Sequence, residues 1–146
     1  KVDRTIPSML NYQIHIANKS IYNTPPVFAI YVSLLTLRWL KSAGGPEAME
    51  AANKRKAELL YSTIDSLPVF RGTVRKEDRS MMNICFVTTD ASLEKEFAEL
   101  CVKEGMVGVK GHRSAGGFRI SNYNALPYES VEAVTELMRD FAERRS

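Results

Sequence analysis

The 146-residue sequence is poor in the residues that usually announce a chemistry. Its two cysteines, Cys85 and Cys101, form neither a CxxC pair nor a metal-ligand spacing. That pattern excludes a disulfide scaffold or a zinc module and implies buried, reduced thiols in an intracellular protein. His15 has no neighbour at metal-ligand spacing and reads as a solvated or core side chain. Charge of one sign is scarce: the net charge of +3 is too small to point to nucleic acid by itself. Long hydrophobic runs are missing too. The most apolar stretch, 27–40, is interrupted by Ser33, Thr36 and Arg38 and falls short of the ~20 apolar residues of a membrane-spanning helix. These residues contain no secretory-signal pattern, internal repeat, Ser/His/Asp triad, phosphate loop or pair of acid–base carboxylates. What remains is the balance of a soluble domain, 45% apolar and 25% charged, long enough to bury a core.

The pattern along the chain predicts helix, helix, strand, strand, helix, strand, strand, helix. Residues 1–24 carry little periodicity and read as a partly irregular entry segment that needs another body to pack against. Thr24 suits an N-cap and Pro25 a first helical position, so a helix is expected over about 25–43. It is apolar almost all round, which implies burial on most sides, against another domain or subunit. Gly44-Gly45 ends it, and Pro46 opens a second helix to about residue 65, with Met49, Ala52, Ala57, Leu60 and Ile64 as its core stripe. The run Lys54-Arg55-Lys56 reads as a solvated face. Strands are expected around 69–73, 82–88, 106–109 and 118–121. Between them lie a charged loop at 75–79 and a helix capped by Asp90, with stripe Leu93, Phe97, Leu100 and Cys101. Pro127 opens a last helix with stripe Val131, Val134, Leu137, Met138 and Phe141. Few short strands with long helices make an α+β two-layer sandwich, a small, mainly antiparallel sheet packed with helices.

The candidate site lies in 111–125. His112, Arg113 and Arg119 fall within eight residues, with Gly116-Gly117 between them. A hairpin through the glycines could bring all three toward one region, and arginine forks match carboxylate and phosphate oxygens. That describes a site for a small molecule with two anionic ends. The same residues also suit a basic hairpin paired with surface carboxylates. Lys110 is a phosphate contact or a surface lysine, and Asn83 orients a ligand or bonds a neighbouring backbone. Asn23-Thr24 at a helix start offers a second anion site, where a plain N-cap is the other reading. Two prolines remove two amides there, leaving the Thr24 hydroxyl and amide, the Asn23 side chain and the Val27 amide.

Taken together the motifs resemble the phosphoserine aminotransferase family, pyridoxal-phosphate enzymes of the class V, fold-type I aminotransferases. Ser20-Ile21-Tyr22-Asn23-Thr24-Pro25-Pro26-Val27-Phe28 resembles the family's S-x-(Y/F)-N-T-P-P-x-F segment. Arg79 to Phe86 resembles its R-S-x-M-N-V-x-F strand, and Lys110 to Arg119 its K-G-H-R-x-x-G-G-x-R loop, continued by Ser121-Asn122-Tyr123-Asn124-Ala125. The resemblance runs from about Pro7 to Arg144. Ile84 and Cys85 stand where valine and proline are usual, and Asn122 where members vary.

The resemblance implies a C-terminal part of a longer chain: 1–24 from the large domain or interdomain connection, 25–146 the small domain of a fold-type I aminotransferase. The large-domain motifs, including the Schiff-base lysine, are absent, so no catalytic residue and no metal site is expected here, and this chain alone should not transaminate. The implied parent is a cytoplasmic homodimer of serine biosynthesis. It transfers an amino group from glutamate to 3-phosphohydroxypyruvate, giving phosphoserine and 2-oxoglutarate. Arg119 would bind the substrate α-carboxylate. His112 and Arg113 would bind the substrate phosphate or the distal carboxylate of glutamate. Asn23 and Thr24 would bind the phosphate of pyridoxal phosphate across the dimer interface. No nucleic-acid or membrane partner is implied. The alternatives are a related class V aminotransferase acting on serine, alanine or glyoxylate, and a stand-alone anion-binding module.

Overall fold

The computed structural model describes residues 4–112 and 116–145. They form two compact units, Lys1–Ala43 and Gly44–Ser146.

In the N-terminal unit a 3-10 turn, Ser8–Leu10, precedes helix α1, Tyr12–Ala17. The sequence pattern passes over α1 because six residues are too few to show a period. Side chains make it instead: Asn11 Oδ1 accepts from Gln13 N–H at 3.0 Å, and Asn18 Nδ2 donates to Ile14 O at 2.9 Å. Helix α2 spans Val27–Ser42 with Pro26 at its N-cap, two residues later than expected. The cause is the second proline. Pro26 disfavours the helical region at the residue before it, so Pro25 cannot be helical and Thr24 is not the cap. Within the described residues of its own unit α2 is left uncovered: Phe28 is 81% exposed and Leu37 63%.

The C-terminal unit begins with α3, Gly45–Ser66, entered through Gly44 at φ 97°. Its buried stripe is Met49, Asn53, Lys56, Ala57, Leu60, Thr63 and Ile64. Ala52 is exposed, and Lys56, expected in a solvated face, is 2% exposed. The stripe steps by four, three, one, three, three and one residues, and Lys56 lies on it as squarely as Leu60 does.

Strands β1 (Phe70–Gly72), β2 (Asn83–Thr88) and β3 (Phe118–Ser121) form an antiparallel sheet in the order β1-β2-β3. Phe70 pairs with Thr88, Cys85 with Arg119 and Asn83 with Ser121. Alternation sends Phe70, Ile84, Phe86, Phe118 and Ile120 into the core, where they join buried residues of α3, α4 (Leu93–Lys103) and α5 (Tyr128–Glu143). Rings of Phe70, Phe86, Phe97, Phe118 and Phe141 meet at centroid distances of 4.9–6.4 Å, the range of favourable aromatic pairs. The other sheet face carries the half-buried Asn83, Cys85, Val87, Arg119 and Ser121. This is the expected α+β sandwich with one helix layer and one sheet face left outside the core.

Residues 106–109 are not a strand; only the bridge Lys110↔Phe118 forms there. Gly105 and Gly108 take φ of 75° and 82°, which breaks the pleat on both sides of Val107. Asp90, expected as the cap of α4, is not its N-cap: Ser92 holds that place without a side-chain cap bond, and Asp90 Oδ1 accepts from Ser92 N–H at 2.9 Å in the turn before the helix. The charged loop holds a 3-10 turn, Lys76–Asp78, and Arg79 returns from it to grip Asp65 through two bonds of 2.7 and 2.8 Å.

Cys101 on α4 is fully buried, and desolvation pushes its thiol up to about 11. The folded state therefore holds this proton more tightly than the unfolded one. The stabilisation is complete below about pH 9 and is lost as pH rises toward 11. Unfolding free energy is expected to fall by roughly 2–3 kcal/mol across that window through this group. Urea titrations at several alkaline pH values check this: Cys101→Val should lack that part of the slope, and an unchanged slope would refute it.

Candidate functional site

Arg119 sits on β3, on the sheet face away from the core. Its backbone N–H donates outward to Val109 O at 2.8 Å, and Cys85 O accepts from Thr73 N–H on the far side. Arg119 and Cys85 are therefore a non-hydrogen-bonded pair, the closer of the two antiparallel pairings. The Nε of Arg119 is buried without a hydrogen-bond partner among the described residues. A buried donor left unpaired is costly, so the site favours an acceptor brought by a ligand.

The glycine-rich segment closes into a loop beside it. Gly111 N–H donates to Gly117 O at 2.8 Å, and Gly116 N–H to His112 O at 2.9 Å. A Cβ on Gly111 would strike Gly116 O and Gly117 O. One on Gly117, where φ is 62°, would meet Phe86 O and Val87 Cγ1 at 2.7 Å. These glycines let the loop pinch shut and lie directly on β2. The exposed His112 rides on it. Arg113 lies outside the described residues. The expected hairpin thus exists in reduced form, one bridge and a pinched loop. Its register sets His112 across from Gly116 and Arg119 across from Val109, three positions apart along the arms.

Asn83, at the start of β2, is set by its backbone: Ser80 Oγ accepts from the N–H groups of Met82 and Asn83 at 3.1 and 3.2 Å. Ser80 is fixed in turn by Tyr61, whose hydroxyl donates to Ser80 O at 2.8 Å, and the neighbouring Arg79 lies over the Tyr61 ring. Hydrogen bonds from Arg79 hold the Asp65 carboxyl below its usual range, so this pair is ionised at neutral pH.

A further set of residues is invisible in the motifs. Lys56 Nζ donates to Tyr123 O at 2.9 Å and Leu126 O at 3.1 Å. Asn53 Nδ2 donates to Asn124 Oδ1 at 2.8 Å. The fully buried Asn122 donates from its backbone to Met82 O and from Nδ2 to Met81 O, at 2.8 and 2.9 Å. The signal that could have found Lys56 and Asn53 was their place on the apolar stripe of α3.

Asn23 and Thr24 belong to the N-terminal unit, where both are exposed. Among the described residues Asn23 Nδ2 donates to the Met9 thioether, at 3.3 Å, a weak acceptor. Met9 O also lies 3.0 Å from His15 Nε2, and His15 meets Tyr22 edge-on, so His15 organises this turn. The backbone just before it is left-handed at Lys19 and Ser20, φ 52° and 62°, uncommon outside glycine. The Val27 amide, expected as a further donor, is spent on Pro25 O at 2.8 Å. The neutral donors of Asn23 and Thr24 still suit a phosphate at a helix start. A cleft of about 710 Å³ between α4 and residues 106–110 suits an anion less well, because Glu94 and Glu99 line it beside Lys95 and Lys110.

Residues 5–134 match the family model for class-V aminotransferases. The chain is 57% identical over 143 residues to a phosphoserine aminotransferase of Porphyromonas gingivalis, covering 97% of this chain and 40% of the relative. It is 51% identical over 140 residues to one from Flavobacterium psychrophilum, again over 96% of this chain and 39% of the relative. Among solved structures it superposes on a phosphoserine aminotransferase from Bacillus circulans subsp. alkalophilus, with a TM-score of 0.87 and 46% identity over 97% of this chain and 39% of that one. A pyridoxal-phosphate-bound phosphoserine aminotransferase from Trichomonas vaginalis gives 0.81 and 39% identity, over 95% of this chain and 40% of that one. The chain spans about 40% of the length of the curated relatives it matches.

Proposed function

The chain belongs to the class-V aminotransferases, and from that premise we propose that it is the C-terminal part of a phosphoserine aminotransferase. The whole protein transfers an amino group from glutamate to 3-phosphohydroxypyruvate, yielding phosphoserine and 2-oxoglutarate, as a cytoplasmic homodimer of serine biosynthesis. Residues 1–24 lead in from its large domain, and 25–146 make up the small one. The observation that carries the reading is Arg119 on β3, its Nε buried and without a hydrogen-bond partner among the described residues. Arg119 takes the α-carboxylate that both amino-acid substrates share. His112 and Arg113 take the distal anion, phosphate or γ-carboxylate. A substrate without a second anion, such as serine, alanine or glyoxylate, has no use for that pair.

Asn23 and Thr24 hold the phosphate of pyridoxal phosphate across the dimer interface. When bound, that cofactor supplies the electron sink for amino-group transfer. The residues of this chain bind and orient the substrates against it. The exposed apolar side chains of α2 support burial of that helix by the rest of the protein. Among the described residues no helix is long and apolar enough to cross a membrane.

The test is glutamate formation from phosphoserine and 2-oxoglutarate by the full-length protein, with this chain alone as control. Activity is expected only in the full-length protein. A cofactor-loaded protein that instead prefers serine, alanine or glyoxylate would replace the substrate assignment. Failure to load the cofactor at all would favour an anion-binding module.

A further inference from the structure

We propose that Lys56 is a positioning residue for Arg119, acting through the segment that follows β3; this rests on the reading of Arg119 as the carboxylate ligand. Lys56 is a buried cation whose hydrogen-bond partners are two carbonyl oxygens, Tyr123 O and Leu126 O, and it forms no ion pair among the described residues. Burial lowers its pKa, the expected response of an ammonium group taken out of water. Burying a charge is expensive, and a methionine of similar length would fill the same space without that cost. What methionine could not do is hold two carbonyls 67 and 70 positions away along the chain.

Those carbonyls bracket a turn that Leu126 N–H closes on Tyr123 O at 3.0 Å. The turn starts two residues after β3 ends at Ser121. Asn53–Asn124 ties it to α3 a second time, and Asn122 ties its beginning to Met81 and Met82, just ahead of β2. Strand β3 has only four residues, a full ladder on one side and a single bridge on the other. So short a strand is placed by its two ends. The pinched glycine loop sets one end and the Lys56 turn sets the other, with Arg119 between them. A displacement of about 1 Å at a binding group is enough to cost on the order of 100-fold in rate.

The experiment uses the full-length protein with Lys56→Met, Arg119→Ala and the double variant, and Lys54→Met, on the exposed side of α3, as control. Binding is read by calorimetry with glutarate, which has two carboxylates and no amino or keto group to react. Steady-state kinetics and amide exchange over residues 118–126 complete the readout. Lys56→Met is expected to weaken glutarate binding and raise KM for glutamate and phosphoserine roughly tenfold, with kcat changed far less. Exchange over 118–126 should quicken while the α3 and α5 core stays protected. In the Arg119→Ala background Lys56→Met should add less than about twofold, because positioning an absent group does nothing.

A purely structural lysine gives a different pattern: a lower melting temperature and less active protein, with KM and glutarate affinity unchanged, or effects fully additive with Arg119→Ala. Either overturns the proposal. Should Lys56→Met fail to fold, Asn124→Ala removes one tie at an exposed residue and should act in the same direction by about threefold; no change in KM or exchange there also overturns it. Arg119-dependent glutarate binding without amino transfer would leave this inference standing and remove the functional reading. Glutarate binding indifferent to Arg119 removes both.

Discussion

Arg119→Ala in the full-length protein is expected to lower kcat/KM by roughly 100- to 1,000-fold with both glutamate and phosphoserine. Both substrates carry the same α-carboxylate, so the loss should be similar for the two. Most of it comes from the missing charge-assisted fork, two parallel N–H donors whose geometry matches a carboxylate. Arg119→Lys restores the charge but not the fork, and should recover only part of the rate. Stability should change little, because Arg119 is half-buried on the sheet face away from the core. Arg113→Ala provides the contrast. It should weaken recognition of the distal anion while sparing a substrate analogue that has only the α-carboxylate. Measured kcat/KM ratios across the two substrates and such an analogue decide the matter. Small and equal effects from both substitutions would remove the assigned roles.

The site motifs were legible because their spacing is dictated by a backbone that few sequences can follow. Gly111 and Gly117 occur where a Cβ would hit a carbonyl, and they mark the loop before any coordinates are known. The two-layer α+β order was legible because α3, α4 and α5 keep an apolar stripe over three to six turns. The structure departs from the local pattern where a second effect overrides it. Thr24 has the chemistry of a cap, but Pro26 denies helical backbone to Pro25 and moves the helix start downstream. Residues 106–109 have strand-like composition, but left-handed glycines on either side of Val107 prevent pairing. Lys56 looks like one of three surface cations, because charge type suggests solvent more loudly than helical phase suggests burial. Its partners, Tyr123 O and Leu126 O, are backbone atoms and leave no trace in a sequence. Position along the α3 stripe is the better guide there.

Gly117→Ala should be far more damaging than Gly108→Ala, and the comparison shows why. Both glycines have positive φ, 62° and 82°, so alanine at either pays for a left-handed backbone, roughly 1–2 kcal/mol. At Gly108 nothing lies within 4 Å of the new methyl group, and the effect stops there. At Gly117 the methyl would sit 2.7 Å from both Phe86 O and Val87 Cγ1. Neither is the free end of a flexible chain. Phe86 O belongs to β2, whose register with β3 pairs Phe86 with Phe118. Relief must therefore come from lifting the loop off the sheet, adding roughly 1–3 kcal/mol of overpacking strain. Lifting it also breaks the bond from Gly111 N–H to Gly117 O that pinches the loop. His112, whose carbonyl accepts from Gly116 N–H in that loop, then loses its placement relative to β3. For the full-length protein, Gly117→Ala should raise KM for phosphoserine at least about tenfold and lower the melting temperature, whereas Gly108→Ala should leave KM within about twofold. Equal behaviour of the two variants would mean that conformational freedom alone selects glycine here. The close approach to β2 would then have no part in building the anion site.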